Sequence, residues 1–124
     1  LADRFMARIV SVHEYELKPD ADPEAFEAAV QSARKRGLLD LRGLVDYYLL
    51  KGIKGARTDR YAAIWVYASA EAWEALWGPP DDPLGKADYP ERWHIWEDEV
   101  LAPHLRTDPD AIRFTSYREL GDAA

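Results

Sequence analysis

The segment YAAIWVYASAEAWEALWG, residues 61–78, has the pattern of a β-strand that runs directly into an α-helix. In its first half the side chains alternate between two faces, because successive strand residues point to opposite sides of a sheet. One face is aromatic and the other is aliphatic. A sheet with one solvent-facing side alternates apolar with polar residues instead. The segment therefore predicts a strand that is covered on both faces.

The rest of the chain supplies three further strands and two further helices. Strand patterns cover residues 8–17, 44–51 and 112–120, and helix patterns follow Asp22 and Asp88, with Ser69 as the N-cap of the helix in the opening segment. The third helix is expected at about residues 89–102, opened by a capping box of Asp88 and Glu91. The order β-α-β-β-α-α-β predicts an α+β fold, a split βαβ sandwich in one domain spanning residues 1–124. Its antiparallel sheet has four strands, with the first and third at the centre and helices on one face.

One face of this sheet is mainly aliphatic and the other mainly aromatic. We expect the helices to cover the aliphatic face, made of Val10, Val12, Ile64, Val66, Ile112 and Phe114. The other face then carries His13, Tyr15, Tyr61, Trp65, Tyr67 and Tyr117. An exposed aromatic patch of this extent is rare on a monomer. The sequence therefore predicts a homodimer in which this face packs on the same face of a second copy.

Composition excludes several classes of function. The chain has 124 residues with 16 Lys and Arg against 23 Asp and Glu, and its net charge of −7 argues against nucleic-acid binding. It has no cysteine, which excludes disulfides, thiolate metal sites and a cysteine nucleophile. Its apolar runs are too short for a membrane span. We expect a cytoplasmic protein that binds neither membrane nor nucleic acid.

The strand–helix junction VYASAEAWEAL, residues 66–76, resembles the dimeric α/β-barrel superfamily, which has a ferredoxin-like fold. The local motif is Tyr67, Ser69 and then Glu71-Ala72-Trp73. Members include antibiotic-biosynthesis-type monooxygenases, muconolactone-isomerase-like proteins and haem-degrading enzymes. The resemblance implies two sheets that close an eight-stranded barrel with the helices outside. The haem-degrading members use an Asn, a Trp and a His, and this chain has no Asn, which argues against haem degradation.

Candidate site residues come from the strands and from the aromatic helices. His13 is the candidate acid–base group, because an imidazole titrates near neutral pH, with Tyr15 and Tyr67 as phenol partners. The candidates for binding a planar aromatic or hydrophobic ligand are Trp65, Tyr117, Trp73, Trp77, Trp93 and Trp96. His94 and Asp98 have a helical spacing that suits a metal, but no third ligand is identifiable. We expect no metal and no organic cofactor.

The sequence leaves both the position of the cavity and the function open. The cavity lies either inside the barrel or between sheet and helices, in which case the tryptophans should face Val12, Glu14 and Val66. The chain is either a cofactor-independent monooxygenase or isomerase, a non-catalytic ligand-binding dimer, or a purely structural dimer module.

Overall fold

The computed structural model describes residues 7–121. Its strands are β1 (Ile9–Tyr15), β2 (Leu44–Lys51), β3 (Tyr61–Tyr67) and β4 (Arg113–Arg118), and its α-helices are α1 (Pro23–Lys35), α2 (Ala70–Trp77) and α3 (Glu91–Ile95). The four strands form one antiparallel sheet in the order β2-β3-β1-β4, which confirms the predicted fold class and the central position of β1 and β3. None of the helices within residues 7–121 is long and apolar enough to cross a membrane.

Side-chain caps place the first two helices as the sequence predicts. The carboxylate of Asp22 accepts a hydrogen bond from the Glu24 N–H (3.0 Å), and the hydroxyl of Ser69 accepts one from the Ala72 N–H (3.1 Å). Helix α2 ends at Gly78, whose φ of 84° lies in the left-handed region. A Cβ at this position would lie 2.6 Å from the Leu84 nitrogen, so only glycine lets the following loop turn back here.

The third helix departs from the prediction at both ends. The capping box of Asp88 and Glu91 does not form, because Pro90 holds the preceding Tyr89 in an extended conformation (φ −70°, ψ 154°). Asp88 ends a 3₁₀ turn at Lys86–Asp88 instead. Helix α3 continues into a π-helical segment, Trp96–Leu101, in which the Ala102 N–H donates to the Glu97 carbonyl at 2.8 Å. This wider turn is uncommon and occurs often at functional sites.

The prediction of which sheet face the helices cover is wrong. The aromatic face lies inside, where Tyr61 contacts Phe26 of α1 and Trp65 contacts Trp93 of α3. Phe114 pairs with His13 and shares this face, whereas Tyr117 pairs with Val10 on the opposite one. The physical reason is size: large aromatic side chains fill the roughly 10 Å layer above a sheet and bury more area than β-branched aliphatic ones.

Trp65 lies at the centre of this inner layer. Its side chain is 0% exposed, and its ring makes edge contacts with Trp93 and Trp96 at centroid distances of 5.2 and 5.9 Å. Trp77 extends the cluster through Trp93 at 5.2 Å. Trp73 packs against the same core but is only partly buried. The tryptophans of α2, α3 and the π-helical segment thus close one aromatic core above β3.

The helices do not cover the aliphatic face of the sheet, where Val10, Val12 and Ile64 are partly exposed and Val66 is buried. At its centre the register pairs Val10 with Val66 and Val12 with Ile64. Tyr48 and Leu50 of β2 flank these residues on one side and Tyr117 of β4 on the other, and these three side chains are about half exposed. We call this surface the open face.

Removing Trp96 should test the aromatic core. Trp96 is fully buried, so Trp96→Ala should lower the free energy of unfolding by about 3–5 kcal/mol, through lost contacts and the cavity left behind. Trp73→Ala, at a partly exposed site, is the matched control and should cost clearly less. Urea unfolding followed by circular dichroism measures both. A loss below about 1 kcal/mol for Trp96→Ala would show that the core does not depend on this cluster.

Candidate functional site

A pocket of about 410 Å³ lies between the sheet and the helices. This volume is in the range of small-molecule sites. Its lining is mainly aromatic and proline side chains with a few polar groups: Ser11, His13, Tyr67, Trp73, Trp77, Pro79, Pro80, Pro83, Tyr89, Trp93, Glu97, Leu101, Pro109, Asp110, Ile112, Phe114 and Ser116. The pocket is on the aromatic side of the sheet, so Val12, Glu14 and Val66 do not face it, contrary to expectation.

His13 lies on the floor of the pocket, in the middle of the central strand β1. Its Nδ1 is buried and has no hydrogen-bond partner within the described residues. The ring makes edge contacts with Phe114, Trp65 and Trp93 at centroid distances of 5.6, 5.9 and 6.0 Å. Burial among these rings lowers the pKa of His13 to about 4, because a charged imidazolium is poorly solvated there. At neutral pH the side chain is therefore an uncharged imidazole.

Three hydroxyl-bearing side chains complete the floor. The hydroxyls of Ser11 on β1 and Ser116 on β4 are hydrogen-bonded to each other at 2.7 Å. Tyr67, at the end of β3, is almost fully buried. Burial raises the pKa of Tyr67, so its phenol stays protonated and can donate a hydrogen bond.

The walls and the mouth come from the segment after β3. Trp73 and Trp77 of α2 and Trp93 of α3 form the walls. The loop at residues 78–90 crosses the mouth with its prolines and with Tyr89, whose ring contacts Trp77 at 5.1 Å. The Leu84 N–H donates to the Trp77 carbonyl at 2.8 Å and fixes the start of this loop.

Two acidic lining residues, Glu97 and Asp110, were not predicted from the sequence, and Glu97 is the buried one of the two. It lies in the π-helical segment, lines the pocket and is only 5% exposed, and its Oε1 has no hydrogen-bond partner in the described part of the chain. Burial raises the pKa of Glu97 to about 7, and the negative charge of Asp110 adds to the shift, while Lys86 opposes it. At neutral pH the carboxyl is therefore partly protonated and partly ionised.

Ion pairs of Lys86 connect the chain segments that surround the mouth of the pocket near Glu97. Lys86 Nζ lies 3.2 Å from a carboxylate oxygen of Asp110 and 3.7 Å from one of Asp98. Lys86 thereby joins the loop at residues 78–90 to the 3₁₀ turn Pro109–Ala111 and to the π-helical segment. Its ammonium is already shared by these two carboxylates and does not line the pocket.

The structure separates the candidate residues into three groups. His13 and Tyr67, proposed as catalytic, and Trp73, Trp77 and Trp93, proposed as ligand-binding, all line the pocket. Tyr15, Trp65 and Trp96 lie in the core behind it and do not line it. Tyr117 is on the open face of the sheet, 55% exposed, and Tyr48 is on that face too.

One sequence signal could have identified Glu97. It follows Trp93 by four residues and precedes Val100 by three, so it falls inside the apolar stripe of the third helix rather than on its solvent face. A carboxylate at such a position is an exception to binary patterning and points to a site. His94 and Asp98 face elsewhere, and residues 7–121 hold no group of three or more His, Asp or Glu side chains arranged to bind a metal.

Comparison with known proteins gives matches by structure. No family model matches the sequence, and no curated protein matches it. A dabb family protein with a ferredoxin-like fold from Mesorhizobium loti aligns with a TM-score of 0.62 and 17% identity, over 93% of this chain and 99% of that one. SnoaB, a cofactor-independent oxygenase from Streptomyces nogalater, aligns with a TM-score of 0.58 and 12% identity, over 94% and 97% of the two chains.

A proposed antibiotic biosynthesis monooxygenase from Caulobacter crescentus aligns with a TM-score of 0.63 and 14% identity, over 95% of this chain and 94% of that one. At these identities the likeness concerns the fold and not the chemistry. The chain therefore has the ferredoxin-like fold of the dabb and antibiotic biosynthesis monooxygenase-like proteins, as the resemblance in the sequence implied.

Proposed function

We propose that the chain is a homodimeric, cytoplasmic protein of one domain, residues 1–124, that binds a planar aromatic ligand and acts on it as a monooxygenase or isomerase without a cofactor. The observation that carries this proposal is an aromatic pocket of about 410 Å³ whose floor holds His13, uncharged at neutral pH and with no partner for its Nδ1 among residues 7–121. The fold shared with SnoaB, a cofactor-independent oxygenase, supports the type of reaction. The lack of cysteine suits a reducing compartment.

The shape and lining of the pocket favour a flat ligand. The sheet contributes Ser11, His13 and Phe114 to the floor, and the helices contribute tryptophan rings, including that of Trp93, to the walls. Aromatic rings bind flat aromatic ligands through offset-stacked and edge contacts. Ser11, His13 and Tyr67 can supply hydrogen bonds from the floor to hydroxyl or carbonyl groups of such a ligand.

His13 is the group that we propose takes a proton from the ligand. Isomerisation and cofactor-free oxygenation both begin when an acidic hydroxyl or C–H group of the ligand loses a proton. The imidazole of His13 is neutral at pH 7, so one of its two ring nitrogens is unprotonated and can accept this proton. The ligand becomes an anion as the proton moves, and a negative charge beside the ring raises the pKa of His13 during the step. The protonated phenol of Tyr67 can donate a hydrogen bond to that anion.

We propose that the open face, rather than the aromatic face, forms the dimer. Its centre is the partly exposed aliphatic group Val10, Val12 and Ile64 around the buried Val66, and the half-exposed Tyr48, Leu50 and Tyr117 extend it. A contiguous apolar surface across all four strands is unusual on a monomer. Packing two such faces would cover both and leave the two pockets on the outer sides of the sheets.

The second candidate function is ligand binding without turnover. It is favoured by the low pKa of His13, about 4, because a weaker base transfers protons less well at neutral pH. A protein of this kind would still bind planar aromatic compounds in the same pocket. Turnover separates the two candidates.

Replacing His13 tests its catalytic role. Planar phenols and small lactones are first screened for oxygen uptake and for isomerisation. With a compound that turns over, His13→Gln should reduce kcat by about 10²-fold or more, because glutamine keeps the hydrogen bonding and loses the basicity. Ser116→Ala, on the same floor, is the control and should change kcat by less than about tenfold. If turnover survives His13→Gln within about threefold, His13 is not the base.

A charge on the open face tests the dimer. The wild-type chain should sediment at micromolar concentration with twice the mass of one chain. Ile64→Lys should weaken the dimer by at least about 100-fold, because the two-fold axis buries two unpaired ammonium groups. The same substitution at Ile53, which is 91% exposed in the hairpin loop after β2, should leave the dimer unchanged. A wild-type monomer, or an Ile64→Lys dimer of unaltered affinity, would contradict this arrangement.

A further inference from the structure

We propose that the pocket selects a cationic ligand, a planar aromatic compound carrying a protonated amine that pairs with the Glu97 carboxylate. The inference rests on the proposed function, since it names the class of aromatic ligand that this same pocket takes. Within the described part of the chain, three features of the lining carry it: a buried acid whose Oε1 has no hydrogen-bond partner, a surrounding set of aromatic rings, and the lack of a basic side chain.

The buried acid needs a counter-charge that the described chain does not provide. Glu97 is 5% exposed, and its Oε1 has no hydrogen-bond donor among residues 7–121. Leaving a buried acceptor unsatisfied costs free energy, and the cost is larger for a charged group. Lys86 is the closest candidate within the fold, but its ammonium is engaged by Asp110 and Asp98. A ligand ammonium that donates a charge-assisted hydrogen bond to the Glu97 carboxylate would supply this counter-charge.

The walls are suited to a cation as well. Six lining side chains have aromatic rings: Tyr67, Trp73, Trp77, Tyr89, Trp93 and Phe114. Their electron-rich faces attract cations, with tryptophan the strongest, and the attraction grows when the site is shielded from water. Three of the six are tryptophans, so this lining favours an ammonium group over a neutral group of the same shape.

The charges of the lining oppose an anion. Among the described residues that line the pocket there is no Lys or Arg, and the acidic members are Glu97 and Asp110. A carboxylate or phosphate ligand would meet the like charge of Glu97 and no basic lining side chain to bind it, since the nearby Lys86 is already paired with Asp110. The pocket should therefore rank ligands of one shape in the order cation, neutral, anion.

The test uses three naphthalene compounds of nearly equal shape. 2-Naphthylmethylamine is the cation, 2-naphthalenemethanol the neutral analogue and 2-naphthoate the anion, and isothermal titration calorimetry on the wild-type protein measures each. At pH 8 the amine should bind at least about tenfold more tightly than the alcohol, and the naphthoate most weakly.

The pH dependence of amine binding is a second, independent test that uses the wild-type protein. Since the pKa of Glu97 is about 7, its carboxylate fraction rises about tenfold between pH 6 and pH 8, and amine affinity should rise with it. Alcohol affinity should stay nearly constant. The charged and titratable groups near Glu97 are Asp108, Asp110, Lys86 and Asp98 and the phenols of Tyr15 and Tyr89, with His13 also lining the pocket. His13 stays neutral over this range because its pKa is about 4.

Glu97→Gln should remove the preference. Amine binding at pH 8 should fall about tenfold and lose its pH dependence, while alcohol binding should stay within about threefold, which also shows that the pocket is folded. Glu99→Gln is the matched control: its side chain is 59% exposed, it pairs with Arg36 at 3.7 Å, and it does not line the pocket. It should behave as the wild type does. If Glu97→Gln does not fold, the inference is tested on the wild-type protein alone, by the order of the three ligand affinities and by the pH dependence of amine binding.

The outcomes separate this inference from the proposed function. If the alcohol binds and the amine binds no better, the charge preference is wrong and aromatic binding stands. If naphthoate binds best, the preference is also wrong, and an anionic ligand replaces it. If none of the three compounds binds below millimolar concentration, both the inference and the proposed aromatic ligand are overturned.

Discussion

The packing of Trp65 against Trp93 and Trp96 is the interaction on which the rest of the structure depends. It joins the middle of the sheet to the third helix and to the π-helical segment that follows it. Trp93 then faces two ways, since it contacts Trp65 in the core and also lines the pocket. The wall of the site is therefore an extension of the hydrophobic core, and the rigidity of that core positions His13 and Glu97 on opposite sides of the pocket.

The order and the ends of most elements could be predicted from the sequence, because the signals that set them are local. Asp22 and Ser69 cap the helices where their hydroxyl or carboxylate can reach a free N–H, and the strand periodicity gives β2 with its exact bounds. The third helix was less predictable. Pro90 overrode the capping box of Asp88, and the π-helical continuation leaves no mark in the apolar spacing. A single added residue per turn is too small a change for periodicity to reveal.

The assignment of the two sheet faces could not be made from strand patterns alone. Alternation divides β1 and β3 into two sets of residues, but it does not say which set the helices cover. Both sets here are apolar, so hydropathy gave no preference, and the deciding quantity was side-chain volume. The same ambiguity affected the candidate site. His13, Trp73, Trp77 and Trp93 were identified because of their residue type, whereas Glu97 was passed over because an acid in a helix is usually solvated.

Burial shifts the pKa values of His13 and Glu97, two ionisable groups of the pocket, in opposite directions, and both shifts favour the uncharged form. The pKa of His13 falls from 6.5 to about 4, so its contribution to stability is complete above pH 6.5 and is lost as the pH falls through 4. The pKa of Glu97 rises from 4.5 to about 7, so its contribution is complete below pH 4.5 and is lost as the pH rises through 7. At neutral pH the fold thus bears the cost of a buried, partly ionised carboxyl whose Oε1 has no hydrogen-bond partner among residues 7–121. Because a cation in the pocket would bind only the folded chain, its binding free energy would add to stability in the alkaline range, where Glu97 costs most. A buried acid that lowers the stability of the empty fold is consistent with a group retained for its ligand.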